Sequence, residues 1–259
     1  MKKLSKFAFA LLLSVTAGSL ISSTVAWFKF GTDVSFGGNA DDKVKVNAGI
    51  SNGYFGGGDG SAETPYIISS KTHLYNLAWL QYLGYFDGSS EPKQSLQPYF
   101  KLTNDINMNG ITLPPIGTEE YPFLGNFNGQ NHTISNLTVS NDYSDFGTAK
   151  PVTITSADDF NPPEIVGFFG TVGNLPDQGL TYSSSIISMT NFTLENITVN
   201  SETNKTLIGL AAGYVNLDVE TISETETGAE GNMSGVKVSG TSSINVDGQT
   251  AVDATNITN

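Results

Sequence analysis

Beyond residue 100 the chain repeats one pattern. A short apolar segment carrying glycine is followed by a stretch in which apolar residues alternate with Asn, Thr and Ser. The apolar-Gly segments are Phe123-Leu124-Gly125, Ile165-Val166-Gly167-Phe168-Phe169-Gly170 and Leu207-Ile208-Gly209-Leu210-Ala211-Ala212-Gly213. Gly125, Gly167 and Gly209 fall at two successive intervals of 42 residues. The alternating stretches are Ile134–Val139, Phe192–Leu194 with Ile197–Val199, and Val236–Val238. Variable insertions at 141–164, 174–188 and 217–232 fill the intervals. Self-similarity at this period predicts a solenoid, in which each rung buries its apolar face only by stacking on its neighbours. Propeller blades share the period, but no Trp-Asp or kelch signature is present.

The spacing inside a rung predicts its shape. Leu137 and Val139 share a face by the two-residue period of a strand. Ile134 lies three before Leu137 and would point outward unless a bend falls at Ser135 or Asn136. Leu194, Ile197 and Val199 repeat the spacing, so a second bend is expected at Glu195-Asn196. Glu195 is then outward, and Asn196 turns inward to bond neighbouring backbone. Stacked rungs lie ~4.8 Å apart, which lines like side chains into columns, and Asn columns are favourable because each amide bonds the next.

Ahead of the repeats, Pro65-Tyr66-Ile67-Ile68 reads as a short strand. Ser69 or Ser70 can cap a helix whose apolar residues Leu74, Leu77, Ala78 and Leu80 recur at helical spacing, with Trp79 and Leu83 beside them. This predicts a helix over about 71–83, stopped by Gly84, that covers one open end of the sheets. Gly53 to Gly60 lacks the Gly-Lys-Ser/Thr ending of a phosphate loop. It is read as a flexible connection closing a lead-in, residues 27–62.

Composition fits many short strands joined by turns. Asn, Ser, Thr and Gly together make 105 of 259 residues, and charged residues only 14%, which excludes a coiled coil or long helical bundle. All 12 basic residues are Lys and the net charge is −13. Nucleic-acid binding is excluded by the lack of a basic footprint, and Arg forks for phosphate or carboxylate are absent. With no Cys, disulfides, a lipoprotein anchor and thiolate metal sites are excluded. Lys2, Lys3 and Lys6, the apolar run from Phe7 to Val15 and the small residues of Thr24-Val25-Ala26 form a secretory signal, residues 1–26. An uncleaved anchor is the alternative, since Phe7 to Phe28 could just span a bilayer. Cleavage leaves no membrane segment and a charge of −16.

Two resemblances attach to these residues. Thr24-Val25-Ala26-Trp27-Phe28 resembles the signal junction of camelysin-type and biofilm-fibre proteins of Gram-positive bacteria. Leu102-Thr103-Asn104-Asp105-Ile106-Asn107-Met108, Pro115-Ile116-Gly117 and the run from Phe123 to Leu137 resemble the opening of bacterial secreted β-helix proteins. The segments around Gly167 and Gly209 resemble the GLUG repeat of the same surface proteins. This second resemblance covers about 63 to 240. It implies a right-handed parallel β-helix on the cell exterior; with the residue pattern this gives an all-β fold in which residues 63–94 hold a strand and the capping helix and residues 95–259 the solenoid repeats. Such repeats occur in adhesins, cell-wall proteins and non-catalytic parts of large enzymes, so the fold alone names no activity.

Candidate chemistry is sparse. Asp105, Asn107, Asn109 and Gly110 match half of a calcium loop, but Ile116 stands where its closing acid should be. Ile106 and Met108 alternate, so a β-rung is the better reading. His73 and His132 are the only histidines, and neither lies in a zinc-peptidase motif. His73 falls on the first turn of the helix and His132 in a rung or turn. Asp41-Asp42 and Asp158-Asp159, with Asp142 and Asp145 nearby, are the carboxylate pairs that sugar hydrolysis or elimination on a β-helix would need; solvated loop acids fit better. No nucleophile elbow appears. Asp218, Glu220, Glu224, Glu226 and Glu230 read as a solvated loop, with weak divalent-cation binding as the alternative. Tyr82, Tyr85, Phe86, Tyr99 and Phe100 either pack the cap or stack on sugars. The sequons at Asn131, Asn136, Asn191, Asn196, Asn204, Asn232 and Asn256 read as by-products of Asn/Thr-rich rungs. No catalytic residue, cofactor site or metal site is assigned.

The resulting expectation is a secreted or cell-surface, non-catalytic solenoid protein for adhesion, interaction or scaffolding. Its expected partner is a glycan or a host or cell-surface protein. The alternatives are a polysaccharide lyase or hydrolase of the β-helix type and a non-catalytic part of a larger surface enzyme. The chain stops at Asn259 in mid-pattern without a sorting signal or polar cap. A fragment, or a product that self-associates end to end, is therefore expected.

Overall fold

The structure, a computed structural model, describes residues 54–86, 97–151, 153–173, 175, 187–202, 207–217 and 231–255. The signal, Asp41-Asp42, the acidic run 218–230 and the sequons at Asn204 and Asn256 lie outside these residues. The described chain is mostly β, with parallel sheets and no closed barrel.

The elements follow the hydrophobic pattern. A strand β1 (Tyr66–Ile68) leads into the helix α1 (Lys71–Tyr82), then β2 (Tyr99–Leu102), β3 (Ile106–Asn107) and β4 (Thr112–Leu113). The longer β5 (Asn126–Ser135) and β6 (Thr138–Ser140) come next, and two 3₁₀ turns, Tyr143–Phe146 and Ala157–Asp159, occupy the first insertion. Then come β7 (Ile165–Val166), β8 (Phe169–Val172), β9 (Ser188–Glu195), β10 (Thr198–Ser201), β11 (Leu207–Ile208) and β12 (Ala212–Val215). The last three are β13 (Asn232–Ser239), β14 (Thr241–Val246) and β15 (Gln249–Thr255).

Strands far apart in sequence lie side by side and parallel. One sheet runs β1-β2-β5-β9-β13 with β3 also on β5; a second runs β15-β14-β10-β6-β4; β7 pairs with β11 and β8 with β12. Every pairing is parallel except β14 with β15. The register stacks like on like. Ile106, Ile134, Leu194 and Val238 form one inward column, and Leu113, Val139, Val199 and Ile244 another. Phe100, Phe127 and Met189 form a third, which Met233 continues in register but exposed.

The expected bends are present. Asn136 and Asn196 each adopt φ of 54°, a left-handed conformation that Asn tolerates better than most residues. The bend lets Ile134, Leu137 and Val139 all be buried, as are Leu194, Ile197 and Val199. Glu195 is exposed, as expected. Asn196 departs from expectation, because its amide lies along the corner rather than inward. Its Nδ2 donates to Asn136 Oδ1 (3.4 Å) and its Oδ1 accepts from the Thr241 backbone N–H (2.8 Å). Below it, Asn136 Nδ2 donates to Asn107 Oδ1 (3.1 Å).

The register corrects one expectation. Gly167 and Gly209 follow Val166 and Ile208, which pair, so the interval of 42 residues is a true repeat there. Gly125 does not precede them in the same column. The residues beneath β8 are Ile116, bridged to Phe169, and Phe123, bridged to Val172. The first interval of 42 is therefore a coincidence, and the 141–164 insertion makes the real step longer.

The helix starts at Ser70, whose side chain accepts from the His73 N–H, and ends at Gly84, with φ of 74°. It was expected to cover a sheet end with one face, yet every residue from Leu74 to Tyr82 is buried. The 141–164 insertion folds over its outer side. Phe160 stacks on Tyr82 at 5.1 Å between centroids, and Phe146 meets Trp79 edge-on at 5.1 Å. The glycine-rich stretch also differs from the flexible connection expected. From Tyr54 onward it is a packed turn, because Phe55 is buried and stacks on Tyr66 at 4.8 Å. Tyr82, Phe86 and Phe100 are buried in this same cap.

Candidate functional site

A concavity that gathers ionisable groups lies over the second sheet. It encloses about 680 Å³ and is lined by Asp142, Asp145, Asn200, Ser201, Glu202, Asn245, Asp247 and neighbouring residues. Its floor is the outward face of β10 and β14, where Asn200 and Asn245 lie in register. One wall is the first 3₁₀ turn, and the others are the residue after β10 and the turn after β14.

Hydrogen bonds fix the floor and the first wall. Asn245 Nδ2 donates to Asn200 Oδ1 (2.9 Å), and Asn200 Nδ2 donates to Asp145 Oδ2 (3.0 Å). Ser140, in register with Asn200, donates to the same carboxylate oxygen (2.7 Å). Asp142 caps its turn by accepting from the Ser144 N–H (2.7 Å) and hydroxyl (2.9 Å). Buried Asn141 ties the walls together: its Oδ1 accepts from the Glu202 N–H (3.0 Å) and its Nδ2 donates to the Pro163 carbonyl (2.8 Å).

Four carboxylates share this cleft with no lysine in its lining. Withdrawal from water raises the Glu202 pKa. The Asp142 charge, a hydrogen bond shared with Asp142, and the charges of Asp145 and Asp247 raise it further. Two carboxyls that share a proton can divide acid and base roles. The cleft also has the chemistry to receive amines or hydroxyls. It offers no aromatic platform for a sugar ring.

The other nominated residues are engaged structurally. Asp159 Oδ2 accepts from the backbone and side chains of Thr155 and Ser156, which lowers its pKa. It is a cap, and Asp158 beside it is exposed. His132 Nδ1 lies 3.0 Å from Asp105 Oδ1, which also accepts from the Thr133 N–H (2.9 Å) and is held below its usual range by these bonds. Ile106 and Met108 are buried, and Ile106–Asn107 is a strand paired with β5, so residues 105–110 pack as strand and turn. Among the described residues no group of three or more His, Cys, Asp or Glu could hold a metal ion.

The structure thus joins Asp142 and Asp145, which sequence reading had flagged, to Glu202 and Asp247, which it had passed over. Glu202 stands alone in the sequence. Only its place directly after β10, whose partner β6 leads into Asp142, could have revealed it.

A second cleft of about 340 Å³ lies between the cap and the first insertion, lined in part by Tyr82, Glu119, Tyr121, Asp159 and Asn161. Glu119 Oε1 accepts from the Ile165 N–H (2.6 Å), and burial raises its pKa. Tyr82 donates to the Asn161 carbonyl (3.1 Å). These bonds anchor the insertion.

No family model matches the chain, and no curated protein matches it. Among solved structures it is similar to a Bacteroides ovatus protein described as a candidate immunoglobulin A1 protease. The identity is 21% and the TM-score 0.46, over 75% of this chain and 42% of that one. The chain thus spans less than half of that protein's length, and the likeness carries no argument about activity.

Proposed function

We propose that this chain is a secreted or surface-exposed, non-catalytic protein that binds or scaffolds. Its body is read as a right-handed parallel β-helix closed at its N-terminal end by α1. The like-on-like columns, each of four residues in register, support the architecture. The functional reading rests on one observation: His73, His132, Asp142, Asp145 and Asp159 are held in caps, turns and strand-to-strand bonds, and Asp158 is exposed. The export signal and the GLUG-like repeats support an exterior location. A glycan or a cell-surface protein remains the proposed partner, met at the cleft of Asp142, Asp145, Glu202 and Asp247.

The test is a glycan array and a turnover assay on acidic and neutral glycans with the mature protein. Binding without product supports the reading. Product release abolished by Glu202→Gln or Asp142→Asn overturns it in favour of a glycan hydrolase. That second reading is favoured by the crowding of carboxylates that raises the Glu202 pKa: burial first, then the charge of Asp142.

End-to-end self-association is part of the same proposal. Leu207, Val215 and Met233 are 53%, 37% and 39% exposed and lie on β11, β12 and β13, the last strands of three sheets. An apolar strand edge of this kind invites pairing. Sedimentation of the mature protein should show a species that Met233→Lys and Leu207→Lys return to monomer. A monomer at all concentrations would remove self-association from the proposal.

A further inference from the structure

The glycine-rich turn meets α1 at His73. His73 stands on the first turn of α1, and its Nδ1 accepts the Ser69 backbone N–H (3.2 Å). A backbone N–H can only donate, so Nδ1 carries no proton and the Ser69 hydroxyl, 3.3 Å away, is the donor of the second contact. The glycine-rich turn rests on this pair. A Cβ placed on Gly56 would come within 3.1 Å of Ser69 Oγ and 3.2 Å of His73 Cε1, so the backbone itself lies against the ring.

The turn is held to the body at both ends; at its far end the Tyr99 N–H of β2 donates to the Gly60 carbonyl (2.9 Å). The Gly56 N–H donates to the Ile67 carbonyl (2.8 Å) and the Ile67 N–H to the Gly57 carbonyl (2.9 Å). One helical turn beyond His73, Asn76 Nδ2 donates to the Tyr54 carbonyl (2.7 Å). What the turn shields is apolar: Phe55 covers Tyr66 and Phe100, both buried.

We propose that His73 is a pH-sensitive latch, and that its protonation frees the Tyr54–Gly60 turn and uncovers the aromatic cap beneath it. Protonated imidazole has two N–H donors and no acceptor. Nδ1–H would then face the Ser69 N–H, donor against donor, and a charge would sit on a half-buried ring between Gly56 and the helix. The ring must swing away, and Gly56 loses its support.

No neighbouring charge opposes this. Tyr54 and Asp59 of the turn, Glu63 after it, Lys71 and Tyr75 of α1 and Tyr66 of β1 make no contribution to the His73 pKa; burial alone lowers it. The sign follows. A pKa lowered in the folded state means that the latch is complete above the free imidazole value and is lost as pH falls through the folded value.

Amide hydrogen exchange on the mature chain at pH 7.5 and pH 5.0, corrected for intrinsic rates, tests the latch. Protection of the Gly56 and Ile67 amides should fall severalfold at pH 5.0, while Thr198, bonded to the Leu137 carbonyl in the body, keeps its protection. In His73→Gln the two amides should respond equally at both pH values. Unchanged protection in the wild type, or an equal loss in His73→Gln, overturns the proposal. Should the variant fail to fold, proton NMR titration of the wild type decides instead. The His73 ring must titrate together with the Gly56 and Ile67 amide shifts; independent titration overturns the latch.

Discussion

Asn196 stands directly over Asn136, with the same φ of 54° and an amide hydrogen bond of 3.4 Å between them. Each bends its strand at one corner of the stack, and Gly240, with φ of 70°, takes the same place in the next layer. A Cβ at Gly240 would come within 2.2 Å of Asn196 Oδ1. Gly240→Ala should therefore cost about 1–2 kcal/mol from left-handed strain alone, and more from the clash. Asn196→Ala should cost a comparable amount, since it adds strain and leaves the Thr241 N–H without its acceptor. Urea unfolding midpoints check both. A neutral Gly240→Ala would show that the corner is not left-handed.

Leu137 and Glu195 test which way the rungs face. Leu137 is 1% exposed and its truncation to Ala should cost about 2–5 kcal/mol as a core cavity. Glu195 is exposed, and Glu195→Ala should stay within about 0.5 kcal/mol. Thermal or urea unfolding of the two variants suffices. A costly Glu195→Ala or a harmless Leu137→Ala would reverse the assigned faces.

What could be read in advance follows the physics of range. The three-residue spacing of Ile134 and Leu137 forced a bend, because a strand cannot bury both without one. The helix start at Ser70 and its stop at Gly84 are local chemistry, legible from neighbours. The Gly125 register was misread because apolar-Gly segments look alike. Only the bridge from Ile116 to Phe169 distinguishes the right one. The cleft was half legible for the same reason. Asp142 and Asp145 are sequence neighbours, whereas Glu202 joins them through the pairing of β6 with β10. The inward turn assigned to Asn196 failed because an amide at a corner finds partners above and below it without entering an apolar core.

Glu202 should show its crowding as a pH-dependent gain on neutralisation. Its folded pKa lies above the unfolded value, so the protein binds that proton more tightly when folded. The stability tied to Glu202 is present below the unfolded pKa and is lost as pH rises through the folded one. At pH 7 the ionised carboxylate faces Asp142, Asp145 and Asp247. Glu202→Gln should therefore raise Tm at pH 7 and leave it unchanged near pH 4, where the wild-type carboxyl is itself neutral. A lower Tm at pH 7 would mean that Glu202 is engaged in favourable contacts that outweigh the repulsion.

The first insertion should prove to be part of the core. From sequence it is a variable loop between rungs, and truncating a loop residue is usually cheap. Yet Phe160 is buried at 4% exposure and meets four rings: Tyr82, Trp79, Phe146 and Tyr143. The helix beneath has no solvent face of its own, so removing Phe160 opens a void onto Trp79, which is wholly buried. Phe160→Ala should cost about 3–5 kcal/mol, the range for a core aromatic. Trp79 fluorescence should shift to the red and become quenchable by acrylamide before the sheets unfold, because the insertion and α1 loosen together while the strand columns persist. A cost below about 1 kcal/mol with Trp79 still shielded would mean that the insertion rests on a cap already complete without it.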